Sequence, residues 1–399
     1  MSKPLRVAVV GFGSAGAASS ILLARDGHAV SLFERAPENS PIGAGFLLQP
    51  TGLAVLKELG IYDNVLPKTT IINQLHCIND RGATMLDLHY GELCQGIAGA
   101  GTHRSTLFEH LEKAVIQAGV RLHWGTEISE IKTERNIHQL VGTETNSHGP
   151  FDLLLVCDGS RSTLRDQIGL PYSHRQYPWG ALWFIGKRTE AFHSNQLWQS
   201  VSSTDKLCGL LPTGTEHDLL SLFWSIRMDK VEQWRDTPLD EWKESVLKLA
   251  PQAEGFLQQI NSHDDLSVAG YHDVVMKKWH TNNVAILGDA AHALSPQLGQ
   301  GVNLALVDAS TLAQCLRESD LPQALARYSN RRKKHLRFYQ RATRWATPFF
   351  QSDYSLLGVA RDLSFPLMNS LPWARKQMTA TMAGLKTGPF SMLTPGKFI

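Results

Sequence analysis

A chain that runs a β-branched apolar segment straight into a glycine-rich turn, and the turn straight into a helical pattern, has few folds open to it. Here Leu5 to Val10 is the segment, Gly11-Phe12-Gly13-Ser14-Ala15-Gly16 the turn and Ala17 to Asp26 the helix; a second strand, Ala29 to Phe33, ends at Glu34. Strand, crossover helix and strand in this order specify a parallel sheet covered by helices. The glycines permit a tight turn, close approach of a pyrophosphate and close helix–strand packing, while the helix N-terminus favours phosphate charge. Glu34 lies eighteen residues after Gly16, where a carboxylate can hold both ribose hydroxyls and repels a 2′-phosphate. The segment asks for FAD or NAD and excludes NADP.

Two later stretches repeat the theme of an apolar strand ending in an acid beside a glycine. Leu153 to Val156 runs into Asp158-Gly159-Ser160-Arg161-Ser162, with Arg165 behind it. Val284 to Leu287 runs into Gly288-Asp289, then a loop carrying Pro296, Gly299 and Gly301, and a helical pattern from Val302 with apolar Leu304, Ala305, Leu306 and Ala309. Glycines just before a helix N-terminus let backbone approach an electron-rich partner, and Asp289 is suited to accept a sugar hydroxyl. Gly43-Ala44-Gly45 before an apolar run reads either as a plain loop or as backbone close to a flat ligand. Thr51 to Gly60 reads as a helix, Ile71 to Leu88 as strands about a turn at Asn79 to Gly82, and Gly96 to Thr102 as a glycine-rich loop. Arg104 opens a helix where the dipole disfavours a cation, so it either faces an anion or is a solvated surface charge.

A chain of 399 residues, 43% hydrophobic and 19% charged, can bury a large core in two lobes. A net charge of +2 gives no general pull toward nucleic acid. Five cysteines without a CxxC pair suggest neither a disulfide framework nor a metal site, which fits a reducing cytoplasm. No signal peptide precedes the first strand and no apolar run is long enough to span a bilayer. The basic helix carrying Arg331, Arg332, Lys333, Lys334, Arg337, Arg341 and Arg344 reads first as a solvated face with aliphatic stems on the core, and second as a peripheral membrane contact.

In order and separation the three motifs, with Asn303 and Asp308 behind the third, resemble the single-component FAD-dependent monooxygenases of the p-hydroxybenzoate hydroxylase type, the group A flavoprotein hydroxylases. The resemblance covers roughly residues 5 to 345. It implies an α/β (α+β) fold: a Rossmann-like FAD-binding domain formed by 1–170 and 265–345, an inserted, mostly antiparallel substrate sheet at 171–264 to which 71–100 contributes, and a helical C-terminal tail at 346–399. That tail packs across the two lobes or at an oligomer interface. The resemblance also assigns roles. Gly11, Gly13, Ser14, Ala15, Gly16, Glu34 and Arg35 would hold the ADP part, Gly45 would run by the ring, and Arg104 would contact the pyrophosphate or ribityl region. Asp158, Gly159 and Arg161 would serve FAD and the nicotinamide, and Gly288 and Asp289 the ribityl chain. Pro296, Gly299, Gly301, Val302 and Asn303 would lie along the isoalloxazine, with Pro296, Gly301 and Val302 at the reacting face. The sequence departs from the family pattern at Pro50-Thr51, where relatives commonly carry Pro-Asn.

The activity so implied uses NADH or NADPH and O2, through a flavin C4a-hydroperoxide, to hydroxylate an electron-rich aromatic or otherwise apolar small molecule. No metal is expected, and no side chain is assignable as an acid or base. Trp179, Trp183, Trp198 and Trp224 in the middle region read singly as sheet core and together as a hint of an apolar or aromatic substrate. A flavin halogenase or an isoprenoid reductase of related fold is the alternative within enzymes. A flavoprotein that binds a small molecule without turnover is the alternative outside them.

Overall fold

Arg6–Val10, Ala29–Phe33, Leu153–Val156 and Val284–Ile286 carry apolar residues on both faces, and all but Arg6 and Ala29 are buried. Such strands belong in a parallel sheet covered by helices. In the computed structural model, which describes residues 3–39, 45–192, 194–214 and 218–398, they stand side by side. The sheet order is His280–Thr281, Val284–Ile286, Leu153–Val156, Arg6–Val10, Ala29–Phe33 and Arg121–His123, parallel except for the hairpin at the first edge. The crossover helix Ser14–Arg25 buries Ile21, Leu22 and Leu23, each contributing about 1.5–3 kcal/mol of apolar burial. It packs against the helix Gly301–Glu318.

A second, seven-stranded sheet has the order Ser267–Met276, Tyr172–Lys187, Leu219–Arg227, Lys206–Gly214, Gln196–Ser202, Gln74–Asn79 and Thr84–His89. It is antiparallel except where Gln196–Ser202 runs alongside Gln74–Asn79. The segment 265–345 therefore begins inside the substrate sheet: Ser267–Met276 pairs along Tyr172–Lys187 from Tyr172↔Met276 to Trp183↔Ser267. On its other side Tyr172–Lys187 pairs with Leu219–Arg227, so Ser267–Met276 forms the edge of this sheet.

Two further expectations are corrected. Gly96 to Thr102 is not all loop: Gly99–Thr102 is a fully buried strand between Phe46–Leu48 and Thr70–Ile72. Its glycines reflect contact with the neighbouring layer, because a Cβ on Gly101 would lie 1.8 Å from the Pro212 carbonyl oxygen. The basic run is not all solvated face either. The helix Leu321–Phe350 turns Leu325, Tyr328, Arg332, His335, Leu336 and Tyr339 inward at three- and four-residue spacing, so the repeat that buries the leucines also buries Arg332. Arg331, Lys333, Lys334 and Arg341 do face solvent.

The tail forms the helices Ser355–Ser370 and Pro372–Met382. Arg361, fully buried, donates to the carbonyls of Ser203 and Phe349, and Asn369 accepts the Asp87 N–H at 2.9 Å. These bonds fasten the tail to the edge of the large sheet. No helix among the described residues is long and apolar enough to cross a membrane.

Gly101→Ala is expected to destabilise the protein by at least about 1–3 kcal/mol, because backbone and not a flexible side chain occupies the space. Urea unfolding would measure it, and an unchanged midpoint would mean that the two layers separate freely.

Candidate active site

The register of the first sheet sets the geometry. Val10 lies opposite Val156, and Val156 opposite Ile286, so the three strands finish on one line. Loops that are far apart in sequence thus emerge together at the carboxyl edge of a parallel sheet, where such folds bind ligands.

There a cleft of about 310 Å³ is lined by Gly11, Gly13, Glu34, Arg35, Arg104, Asp158, Gly159 and Arg161. Gly11 sits at φ +104°, and a Cβ there would be 2.4 Å from the Cys157 carbonyl oxygen; one on Gly16 would be 2.0 Å from the Gly11 oxygen. Strand, turn and helix meet in contact at these two glycines. Ser14 and Ala15 are buried in the first helical turn, which Gly13 caps without a side-chain bond. Both oxygens of Glu34 accept backbone N–H groups, from Phe12 at 2.7 Å and Ala36 at 3.0 Å. Its carboxylate is thereby fixed at the cleft wall with lone pairs to spare. Burial pushes the Asp158 carboxyl up against the pull of a Ser162 hydrogen bond, and its Oδ1 is buried with no protein partner. An uncapped helix start, a fixed carboxylate and an orphaned acceptor suit the phosphates and hydroxyls of a dinucleotide. Asn39, Phe108, Trp124 and Thr126 complete the wall; no pattern in the sequence marks them.

Asp289 opens onto solvent, yet the surrounding protein pushes its pKa up, with His292 and Arg104 opposing. Desolvation lowers Arg104 and Asp289 counters it, so the two are electrostatically linked across the cleft. A Cβ on Gly301 would come within 3.8 Å of Asp289 Oδ1, which places the start of the helix Gly301–Glu318, also free of side-chain caps, beside that acid.

Asp308 carries this turn. Fully buried on the helix, it accepts the Gly288 N–H at 2.9 Å, His292 Nε2–H at 2.5 Å and Arg332 Nε–H at 2.7 Å. Burial alone would raise its carboxyl, but His292 and Arg332 pull it down to about 2. Arg332 also donates to His335 Nδ1, whose Nε2–H donates to the Gly384 carbonyl; burial and Arg332 hold His335 neutral, near a pKa of about 3. Arg165 ties the second motif to the third by donating to the Ala290 and Ser160 carbonyls.

A second, mostly apolar cavity of about 120 Å³ lies under the large sheet. Gly45, Phe46, Trp183, Leu211, Phe223, Tyr271, Pro296, Gly299, Gln351 and Met382 line it. Trp183 and Phe223 pack at 5.2 Å between ring centroids, whereas Trp179, Trp198 and Trp224 are buried. Gly43 lies outside the described residues. Val302 is half-buried at the helix start. Asn303 spends its side chain on backbone, accepting from Gln49 N–H and donating to the Leu47 and Gly299 carbonyls.

A parallel sheet with a dinucleotide cleft, roofed by an antiparallel sheet over an apolar cavity, defines a flavoprotein of the FAD-dependent oxygenase class. The family model described as "FAD binding domain" matches residues 4–345, and the chain belongs to that family, the group A FAD-dependent monooxygenases. It is 26% identical over 407 residues to 3-hydroxybenzoate 6-hydroxylase of Klebsiella oxytoca, covering 97% of this chain and 96% of that enzyme. It is also 26% identical over 340 residues to the aurachin C monooxygenase/isomerase of Stigmatella aurantiaca, covering 82% and 85%. The structure of Klebsiella pneumoniae HpxO complexed with FAD and uric acid shares the fold, with a TM-score of 0.83 at 20% identity over 97% of this chain and 98% of that one.

Asp308→Ala would strand the buried Arg332 guanidinium and the Gly288 N–H, at an expected cost of about 3–5 kcal/mol. Because the folded pKa of Asp308, about 2, lies below the unfolded value of about 3.9, its ionisation stabilises fully above the unfolded value. That stability is lost as pH falls toward the folded value. Urea unfolding of wild type and Asp308→Asn would show the gap between them closing on acidification; a gap independent of pH would mean that Asp308 is not the charged partner.

Proposed function

We propose that this chain uses NADH or NADPH and O2 to hydroxylate an electron-rich aromatic or otherwise apolar small molecule. One observation carries the reading. Arg104, a wall of the dinucleotide cleft, is electrostatically linked to Asp289; Asp289 lies beside Gly301, and the same loop carries Pro296 and Gly299, which are walls of the apolar cavity. A cofactor lying along that line would present its reactive end to whatever fills the cavity.

Gly11, Gly13 and Glu34 would hold the adenosine and phosphate end, Arg104 the pyrophosphate and Asp289 the ribityl chain, with the N-terminus of Gly301–Glu318 toward the ring. Bound FAD supplies hydride acceptance from the nicotinamide and transfer of one oxygen atom from O2. The protein's own contribution is position, dryness and charge. Uncommitted N–H groups at Gly301 and Val302 favour negative charge on the reduced ring. Trp183 and Phe223 offer flat apolar walls to an aromatic substrate. Tyr271 is a further wall of the cavity, and burial pushes its phenol well up, with Trp183 bonding to its oxygen. Ring oxygenation by relatives such as 3-hydroxybenzoate 6-hydroxylase supports the same reaction class. NADH and NADPH oxidation with and without candidate aromatics, followed by mass analysis of the product, tests the reading. The expected product carries one added oxygen atom; ligands that bind without stimulating oxidation would overturn it.

Glu34→Ala removes a charged acceptor, and FAD affinity is expected to fall roughly ten- to a hundredfold; titration of flavin fluorescence measures this, and an unchanged dissociation constant would remove Glu34 from the site. Gly301→Val and Asp289→Ala are expected to separate. With FAD in excess Asp289→Ala recovers most of its rate, while Gly301→Val, whose side chain crowds the site and displaces the backbone N–H donors, stays slow by about 10²–10³, the usual cost when a preorganised donor no longer reaches its partner. Stopped-flow traces of flavin reduction and reoxidation decide it, and a Gly301→Val enzyme at the parent rate would make the loop merely structural.

A further inference from the structure

The tail helix Ser355–Ser370 has two unlike faces. Arg361, Phe365 and Asn369 turn inward, to backbone carbonyls, to the Phe350 ring and to the Asp87 N–H. On the opposite side, at three- and four-residue spacing, stand Leu356, Val359, Leu363 and Leu367, exposed by 80%, 57%, 75% and 64%. Leucines exposed to this degree along more than three turns of one helix form a contiguous patch, which a solvated face does not need. The patch is continued by an aromatic pair, Trp373 and Phe390, 63% and 83% exposed with ring centroids 6.5 Å apart.

Charge identifies what covers it. The two carboxylates nearest the helix are already paired, Asp353 with Arg227 and Asp362 with Arg361, and from Leu363 to Ile399 the sequence contains no aspartate or glutamate. Lys376 and Lys397 are exposed there, while Arg375 is committed to Glu92. A second copy of the chain meeting this face through itself would bring lysines toward lysines with no carboxylate from the segment to pair them. An anionic lipid surface answers both properties, since its headgroups neutralise the lysines and its acyl boundary accepts the leucines and the aromatic rings.

We propose that the face formed by Leu356, Val359, Leu363, Leu367, Trp373 and Phe390 docks on an anionic bilayer, with the helix Ser355–Ser370 lying in the plane of the interface. The inward bonds of Arg361 and Asn369 hold the helix in that orientation, so docking needs no refolding. The adjoining helix Pro372–Met382 carries Trp373 at its outer end and Met382, a wall of the apolar cavity, at its inner end. Docking therefore places the cavity within about one short helix of the lipid, roughly 14 Å by helical rise from Trp373 to Met382.

Flotation of the full-length FAD-loaded protein tests this, using vesicles of phosphatidylcholine alone and vesicles in which about a third of the lipid is phosphatidylglycerol. The wild type is expected to float with the anionic vesicles and to be released by salt. Leu363→Ser with Leu367→Ser is expected to weaken partitioning by at least about tenfold, and Lys376→Glu with Lys397→Glu to abolish the preference for anionic lipid. FAD content and thermal unfolding, read alongside, are expected to stay at the parent values because these side chains project outward. Wild type that fails to float with either vesicle overturns the proposal, as does a leucine variant that floats like its parent. So does a lipid-free dimer, seen by sedimentation velocity, that the leucine variant dissolves while the wild type ignores vesicles. That last result would assign the face to a second copy of the chain.

Discussion

Parallel pairing of Arg6–Val10, Leu153–Val156 and Val284–Ile286 is the constraint on which the remaining structure depends. Parallel strands cannot be joined by hairpins, so each must be reached through a crossover long enough to cover a face of the sheet. Those crossovers supply the helix behind the first glycine turn, the large sheet and the substrate cavity. The same pairing lines up three strand ends, so that chemistry distributed over nearly three hundred residues comes to a single edge. A slip of one residue in any of these registers would turn core valines and leucines toward the wrong layer and carry an acid out of the cleft.

Register brings the loops together, but one buried acid shapes the third of them. Asp308 takes bonds from the turn at Gly288, from His292 four residues on, and from Arg332 on another helix. Full burial of a carboxylate is tolerable only because every donor around it is charged or fixed. Since the turn, the helix and the basic helix are all fastened to the same two oxygens, displacement of any one disturbs the direction in which Asp289 faces. Arg165 performs the parallel task between the second motif and the third.

Much of this was legible in the sequence wherever a local rule was strict. Gly11 and Gly16 are demanded by contacts of 2.4 and 2.0 Å that no side chain survives, and strands buried on both faces announce themselves as uninterrupted apolar runs. Reading failed where residue type has two uses. Glycines at Gly99 and Gly101 serve a close layer contact, not a loop. Arg332 looked like one more member of a charge run, although its spacing from Tyr328 and Leu336 on the inward face was available as a signal. Asp308 likewise stands four residues after Leu304 and four before Leu312 on a buried helical face, a position that an acid occupies only with partners. Gly45, Trp183, Pro296 and Gly299 were legible as part of the cavity wall, but Tyr271, Gln351 and Met382 were not, because they come from three distant segments and only the folded chain reveals them as neighbours.

The match to the family ends at residue 345, yet Gln351 and Met382 lie beyond it and close the cavity. Gln300, next to the cofactor-facing helix, donates to the Met382 carbonyl at 2.7 Å and holds this closure in place. The chain thus closes its chamber with side chains from outside the segment that holds the cofactor cleft. Substitutions in the tail can reshape the chamber while the glycine turns, Glu34 and Asp308 stay untouched, so a new substrate preference can arise without relearning how to hold the cofactor.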